Sequence, residues 1–324
     1  MVKTGVLLTG FGGPDSLESV GPFMCNLMGE EPSDELVARV CKRYLTIGGS
    51  SPLTGIAVGI ADKLVAAFME KGHTIPVAVG MRYWHPYIGD SLAALKEEGC
   101  GRVITVSLSP FESKVAHGAY REAIDEAVAA LGGLEVVEAP LVSELPAYAD
   151  FFAGSAATGL TDIEPNEGAI LVFTAHSLPE SDLVDDDPYV TGLQTIADDV
   201  AEQLGLPVGK PGASEALFPG VTAYGSTEPP RAWLLAYQSK GNRPGSWLGP
   251  DLDEVIDAIG ASAARALVVV PIGFMTDHLE TLYDLDVIAA ERAIDADLEF
   301  LRAPVPNDDD TVVAAMANSI ISLL

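Results

Sequence analysis

The stretch AILVFTA, residues 169–175, is apolar at almost every position, and the polar segment HSLPE follows it directly. A run rich in Ile, Leu and Val predicts a strand buried on both faces, which is typical of parallel sheets covered by helices. Similar runs, separated by segments with a helical pattern, are VLLTGF at 6–11, IPVAVGM at 75–81, VITVSLS at 103–109, LEVVEAP at 134–140, WLLAYQS at 233–239, ALVVVPIGF at 266–274 and LEFLRAP at 298–304.

These runs fall equally into the two halves of the chain. They predict two similar doubly wound α/β domains, each with a parallel four-stranded sheet, and a cleft between the domains. We expect the boundary near residues 145–165, which gives domains of 1–150 and 151–324. A terminal helix at 310–323 is expected to cross back, and the Gly- and Pro-rich stretch 210–230 is expected to form a long surface loop.

The composition indicates a globular protein. The chain has 324 residues, of which 48% are hydrophobic and 20% charged, and no apolar run is long enough to span a membrane. We therefore expect a cytoplasmic monomer with at most peripheral membrane contact. Cys25, Cys41 and Cys100 are odd in number and lack CxxC spacing, so neither a disulfide framework nor a zinc site is indicated.

The formal charge is −29, which argues against a nucleic-acid partner because a basic binding surface is missing. The charge is uneven. Residues 1–150 hold 11 Lys and Arg against 19 Asp and Glu, whereas residues 151–324 hold 7 against 28. Two explanations stay open at this point: a solvated acidic surface, or a half of the protein that handles cations.

The segment GFGGPDS, residues 10–16, resembles a phosphate-binding loop only superficially. A dinucleotide fingerprint needs its third glycine where this chain has Asp15, whose carboxylate would repel a pyrophosphate. Pro14 and Asp15 predict instead the first turn of a helix.

Polar residues collect at the ends of the predicted strands, where α/β proteins place their active sites. His85, His176 and His278 all follow strands. If a helix starts near Asp277, then Asp277, Glu280 and Asp284 share one face and could coordinate or conduct a cation, with His176 as a nitrogen ligand. The alternative is a capping box formed by Asp277 and Glu280.

Aromatic residues occur at the same strand ends. Each alone is typical of a core, but together they indicate the walls of a site for a large, flat, apolar molecule. They are Phe11, Tyr83, Trp84, Phe111, Tyr237, Trp247 and Phe274.

The motifs together resemble the ferrochelatase family, whose members insert ferrous iron into a porphyrin. The resemblance covers nearly the whole chain and rests on six motifs in order: GGPDSLESVGPF near the start, RYLTIGGSSPL at 43–53, GMRYWHP at 80–86, TAHSLPE with DPY at 187–189, YQSKGNRPGSWLGPD at 237–251 and PIGFMTDHLETLYDLD at 271–286.

The resemblance implies roles for particular residues. His176 matches the histidine that takes pyrrole protons or binds iron, and Glu280 matches its acidic partner. Asp277, His278 and Asp284 match positions associated with metal delivery. The positions that match the porphyrin-binding residues are Phe11, Ser51, Arg82, Tyr83, Trp247 and Phe274.

The resemblance also implies porphyrin and Fe²⁺ as substrates, with no permanently bound cofactor. No cysteine follows Cys100, so no iron–sulfur cluster is expected. YQSKGN resembles relatives that use coproporphyrin III, whereas GMRYWHP resembles users of protoporphyrin IX, and we favour coproporphyrin III. A porphyrin or haem carrier and a chelatase for another metal such as cobalt are the alternatives.

Overall fold

The computed structural model describes residues 2–163, 168–206, 223–225, 232–262 and 264–324. Its contacts divide the chain into two compact units. The first comprises Met1–Ala147, Met275–Leu279 and Asn307–Leu324, and the second comprises Tyr148–Phe274 and Glu280–Pro306.

The first unit is built on a parallel four-stranded sheet with the strand order β2-β1-β3-β4. Its strands are β1 (Lys3–Gly10), β2 (Val77–Met81), β3 (Cys100–Ser107) and β4 (Glu135–Glu138). Its helices are α1 (Val20–Met28), α2 (Asp34–Thr46), α3 (Leu53–Glu70), α4 (Ile88–Glu97) and α5 (Ala119–Leu131). Side chains of α4 and α5 pack on the sheet around Leu7 and Val103, which are fully buried.

The second unit repeats this plan from Tyr148 onward, with the order β6-β7-β5-β8-β9. Its strands are β5 (Ala169–His176), β6 (Ala223–Gly225), β7 (Ala232–Gln238), β8 (Ala266–Val270) and β9 (Glu299–Arg302). Its helices are α6 (Pro146–Asp162), α7 (Pro188–Gln203), α8 (Leu252–Gly260), α9 (Leu279–Leu282) and α10 (Ala290–Asp295).

The two parallel four-stranded sheets predicted from the apolar runs are confirmed. The second sheet has one strand more than expected, because β6 pairs antiparallel with β7, the outermost of the parallel strands. This short strand falls within the stretch 210–230, which was predicted to be a loop. The rest of that stretch lies outside the described residues.

The C-terminal helix α11 (Asp310–Ile321) belongs to the first unit, where it packs against α3. The Asp309 carboxylate caps it by accepting the N–H groups of Thr311 and Val312. Lys63 of α3 forms ion pairs with Asp308 and Asp310 near the same helix start.

The helix expected at Pro14 and Asp15 is wrong. Residues 15–19 form turns, and α1 begins only at Val20. Asp15 accepts a hydrogen bond from the Ser19 hydroxyl at 2.5 Å, so this carboxylate stabilises the turn that precedes the helix.

In both sheets the first strand in the sequence lies in the interior of the sheet. The chain adds its next strands on one side of it and its last strands on the other side, and this change of side is the topological switch point. Ligands of such sheets bind outside the carboxyl ends of the strands at this switch point. The switch points lie at the end of β1, just before Phe11, and at the end of β5, which is His176. Among the described residues, no helix is long and apolar enough to cross a membrane.

Candidate active site

His176 is the last residue of β5, a strand that is buried along its whole length until this residue. In the register of the sheet it lies opposite Gln238, the last residue of β7. The Tyr189 hydroxyl donates a hydrogen bond to the His176 carbonyl at 2.8 Å. The Ser177 N–H donates to the Gln238 carbonyl, also at 2.8 Å. The main chain at His176 is therefore fixed on both sides.

The imidazole of His176 faces the carboxylate of Glu280. The Nε2–Oε1 distance is 3.4 Å, and the two side chains are 31% and 36% exposed. The Nδ1 atom of His176 lies against the Ser177 carbonyl, an acceptor, so the proton of the neutral ring is assigned to Nδ1. Nε2, turned to the carboxylate and reachable from solvent, is then the atom that can accept a proton or bind a metal.

The surroundings raise the pKa of His176 above its ordinary value of 6.5. Burial is the largest single influence and by itself lowers the pKa, because it disfavours the charged ring. The charge of Glu280 and its hydrogen bond to the ring outweigh that effect, and the Ser177 carbonyl and the charge of Asp284 act in the same direction. The carboxylates thus make His176 a stronger base.

The acidic segment 277–286 is not the single α-helix that was expected to begin near Asp277. The helix α9 begins at Leu279 and ends at Leu282, and a π-helical turn, Asp284–Ala289, follows. The wider turn changes the angular spacing of its side chains, so the predicted acidic stripe with α-helical spacing is wrong. Turns of this kind occur frequently at functional sites.

Two residues at the end of β7 hold this acidic segment. The side-chain amide of Gln238 donates to the Glu280 carbonyl at 2.8 Å. The hydroxyl of the next residue, Ser239, donates to Oδ2 of Asp284 at 2.5 Å. Sequence reasoning missed both residues, although their position at the carboxyl end of the predicted strand 233–239 was a signal available in the motif YQSKGN.

Asp277 is held in the first unit by Asn307, a third residue that sequence reasoning missed. The Asp277 N–H donates to Oδ1 of Asn307 at 2.7 Å, and Nδ2 of Asn307 donates to Oδ2 of Asp277 at 2.8 Å. Asn307 has a φ of 50°, a left-handed conformation that Asn tolerates better than most residues. No pattern in the sequence joins these two positions, which are 30 residues apart.

Asp286, which the predicted capping box did not explain, has a structural partner. Its carboxylate accepts two hydrogen bonds from the guanidinium of Arg302, at the end of β9. This bidentate pair fixes the π-helical turn to the edge of the second sheet.

Of the five residues predicted as metal ligands, His176 and Glu280 are in contact and Asp284 accepts a hydrogen bond from Ser239. Asp277 and His278 belong to the first unit. Among the described residues, no group of three or more His, Cys, Asp or Glu side chains is arranged to hold a metal ion.

In the first unit, three of the predicted porphyrin-binding residues lie together. The rings of Phe11 and Tyr83 have centroids 4.6 Å apart, and the guanidinium of Arg82 lies 5.0 Å from the centre of the Tyr83 ring. The Nε atom of Arg82 donates to the Ala119 carbonyl at 3.1 Å. The group combines flat apolar surface with a positive charge.

Ser51, a fourth predicted porphyrin-binding residue, lies beside the turn that follows β1. The Ser51 N–H donates to the Pro14 carbonyl at 2.8 Å. A Cβ atom at Gly13 would lie 2.5 Å from the Cβ of Ser51, so only glycine permits this approach. Gly12 in the same turn has a φ of 91°. The glycines of GFGGP therefore allow this turn to approach Ser51 closely and to adopt a left-handed backbone.

Trp247 and Phe274, the remaining predicted porphyrin-binding residues, belong to the second unit. The indole N–H of Trp247 donates to the Arg243 carbonyl at 3.1 Å, and the Arg243 guanidinium forms a bidentate pair with Asp182. Phe274 is buried, with only 6% of its surface exposed.

Comparisons with known proteins identify the family of this chain. The model of the family described as Ferrochelatase matches residues 3–323. A ferrochelatase of Herpetosiphon aurantiacus is 30% identical over 316 residues, which is 96% of each chain. A coproporphyrin III ferrochelatase of Streptomyces griseus subsp. griseus is 31% identical over 98% of this chain and 84% of its own.

Among solved structures, SirB from Bacillus subtilis with Fe³⁺ has a similar fold. The TM-score is 0.54 at 12% sequence identity, over 99% of this chain and 95% of the SirB chain.

Proposed function

Because this chain belongs to the ferrochelatase family, it is a lyase that inserts iron into a porphyrin in haem biosynthesis, and we propose that coproporphyrin III is its porphyrin and that His176 and Glu280 carry the chemistry. The observation that supports these roles most strongly is the 3.4 Å approach of His176 Nε2 to the Glu280 carboxylate.

Metal insertion requires a base. A free-base porphyrin carries two pyrrole N–H groups, and both protons leave as Fe²⁺ forms its bonds to the four ring nitrogens. We assign the first proton to His176 Nε2, because the Ser177 carbonyl orients the other ring nitrogen as a donor. The imidazolium formed is stabilised by the Glu280 carboxylate and releases its proton to solvent, to which the His176 side chain is 31% exposed, so that Nε2 can then accept the second pyrrole proton.

Glu280 stays negatively charged through this step and also favours the entering cation. Asp284 adds negative charge at the same histidine. The two carboxylates therefore favour both the arrival of Fe²⁺ and the formation of the positively charged imidazolium at this site.

The first unit supplies the binding surface in this proposal. Phe11 and Tyr83 offer aromatic faces to the macrocycle, and Arg82 offers a positive charge to a propionate. Ser51, beside the turn after β1, adds a hydroxyl group for a second carboxylate contact.

The choice of coproporphyrin III is supported by two observations. The relative from Streptomyces griseus carries that substrate in its name, and YQSKGN resembles relatives that use it. The extra propionates of coproporphyrin III increase its negative charge relative to protoporphyrin IX.

The test is anaerobic turnover of Fe²⁺ with each porphyrin, followed by the loss of porphyrin fluorescence. We expect a higher kcat/KM with coproporphyrin III. A tenfold preference for protoporphyrin IX, which corresponds to about 1.4 kcal/mol of discrimination in the transition state, would contradict the substrate assignment. Binding of both porphyrins without turnover of either would contradict the catalytic roles.

A further inference from the structure

Gln238 connects the two halves of the His176–Glu280 pair. Its carbonyl accepts the N–H of Ser177, the residue after His176, and its side-chain amide donates to the carbonyl of Glu280. Both hydrogen bonds measure 2.8 Å. One residue thus contacts the main chain on each side of the 3.4 Å approach between the imidazole and the carboxylate.

Ser239 extends this connection to the π-helical turn. Its hydroxyl donates to Oδ2 of Asp284, whose charge contributes to the basicity of His176. Gln238 and Ser239 together, called the β7-end pair below, therefore contact both Glu280 and Asp284.

Each member of the β7-end pair is in an unfavourable local state. Gln238 is only 4% exposed, and its Oε1 atom is buried without a hydrogen-bond partner, a state that destabilises a folded protein. Ser239 has a φ of 58°, a left-handed conformation that is uncommon for residues other than glycine, Asn and Asp. Unfavourable states in adjacent residues are typical of functional sites, where the surrounding structure maintains them.

We propose that the β7-end pair positions the acidic residues of the active site: Gln238 sets the separation of Glu280 from His176, and Ser239 orients the Asp284 carboxylate. The proposal rests on the proposed function of His176 and Glu280. Neither Gln238 nor Ser239 exchanges a proton or contacts iron in this account.

Gln238→Met tests the first part, because methionine has a similar length but no amide. It removes the bond to the Glu280 carbonyl and also removes the unpartnered Oε1, two effects on stability that oppose each other. We expect Tm to change by no more than about 3 °C. We expect kcat to fall at least about tenfold, because small displacements of reacting groups are costly. A crystal structure of the variant should show the His176–Glu280 distance lengthened.

Thr174→Val is the matched control. Thr174 lies on β5 in the same sheet, is fully buried, and has a hydroxyl without a partner, so the change also removes an orphaned polar atom. We expect kcat within about twofold of wild type. If Gln238→Met keeps kcat within the same range, or loses kcat with the distance still at 3.4 Å, the proposal for Gln238 is wrong.

Ser239→Ala and Ser239→Gly test the second part without changing the core. Both remove the hydroxyl, but only glycine relieves the left-handed backbone. We expect both to raise the KM for Fe²⁺ by about fivefold while the KM for porphyrin is unchanged, since the hydroxyl orients the Asp284 carboxylate and its other contact, from the Gln238 amide, is long at 3.4 Å. Wild-type behaviour of both variants, or of the glycine variant alone, would overturn a role for the hydroxyl.

Different results would contradict this proposal and the proposed function. If Glu280→Gln keeps normal turnover, the roles of His176 and Glu280 are wrong. If Glu280→Gln loses turnover while Gln238→Met and both Ser239 variants keep it, only the β7-end pair is excluded.

Discussion

The carboxyl ends of β1 and β5 occupy equivalent places, because the four parallel strands of each sheet have the same order, yet the side chains at the two ends differ in their chemistry. The first is followed by Phe11, which stacks with Tyr83, and the second ends in His176, which faces Glu280. The comparison shows that the strand order fixes the place of a site, whereas the side chain at the strand end and its partner fix what the site can do. We therefore expect changes after β1 to alter porphyrin binding and changes at the end of β5 to alter turnover.

The largest effect is expected for His176→Ala. The variant lacks the group that accepts a pyrrole proton, so kcat should fall by about 10³-fold, within the range for a positioned acid or base. The Kd for porphyrin, measured by fluorescence quenching without iron, should stay near that of wild type.

His85→Ala is the control for a histidine at a strand end. His85 follows β2 and is exposed, with its ring against those of Trp84 and Tyr87. Its removal should leave kcat within about twofold of wild type. A loss of kcat that is equal in the two variants would show that the end of β5 has no special part in turnover.

The pH dependence of turnover sharpens the comparison further. His176 must be neutral to accept a proton, and its pKa is raised in the folded protein, so activity should fall as the pH drops through a midpoint above 6.5. In Asp284→Asn the midpoint should move to lower pH, because one of the charges that raise the pKa is gone. A profile of kcat/KM from acid to alkaline pH measures both. A midpoint that rises in this variant would contradict the assignment.

The smallest effect is expected at the end of β1. Tyr83→Leu removes the aromatic contact with Phe11 and the face beneath Arg82, worth about 0.5–1.5 kcal/mol beyond buried area. We expect the KM for porphyrin to rise up to about tenfold with kcat nearly unchanged. Steady-state kinetics with porphyrin as the varied substrate separates these constants. A fall in kcat at constant KM would show that this region takes part in the chemistry.

The sequence predicted the parallel sheets and the strand ends well, because buried parallel strands are marked by continuous apolar runs. It also indicated His176 and Glu280, which the structure brings together although 104 positions separate them in the sequence. This pairing was predicted from the resemblance of the motifs to a family. Neither a histidine nor a glutamate by itself distinguishes an active-site residue from a residue that is hydrogen-bonded in the core.

Other features depend on contacts that no local pattern records. The π-helical turn at Asp284–Ala289 has only 6 residues, which are too few for the spacing of apolar residues to distinguish it from an α-helix. The hydrogen bonds of Asn307 to Asp277 and of Ser239 to Asp284 join distant segments through left-handed residues that are not glycine. Such positions resemble ordinary loop residues in a sequence.

The turnover of Glu280→Gln tests the central claim most directly. Glutamine keeps the size of the side chain and could serve equally in a helix cap, but it has no charge to stabilise an imidazolium at His176. We predict a loss of at least about 10²-fold in kcat for Fe²⁺ insertion, with porphyrin still bound and the protein folded. Near-normal turnover by the folded variant would contradict the claim that His176 and Glu280 act as a pair.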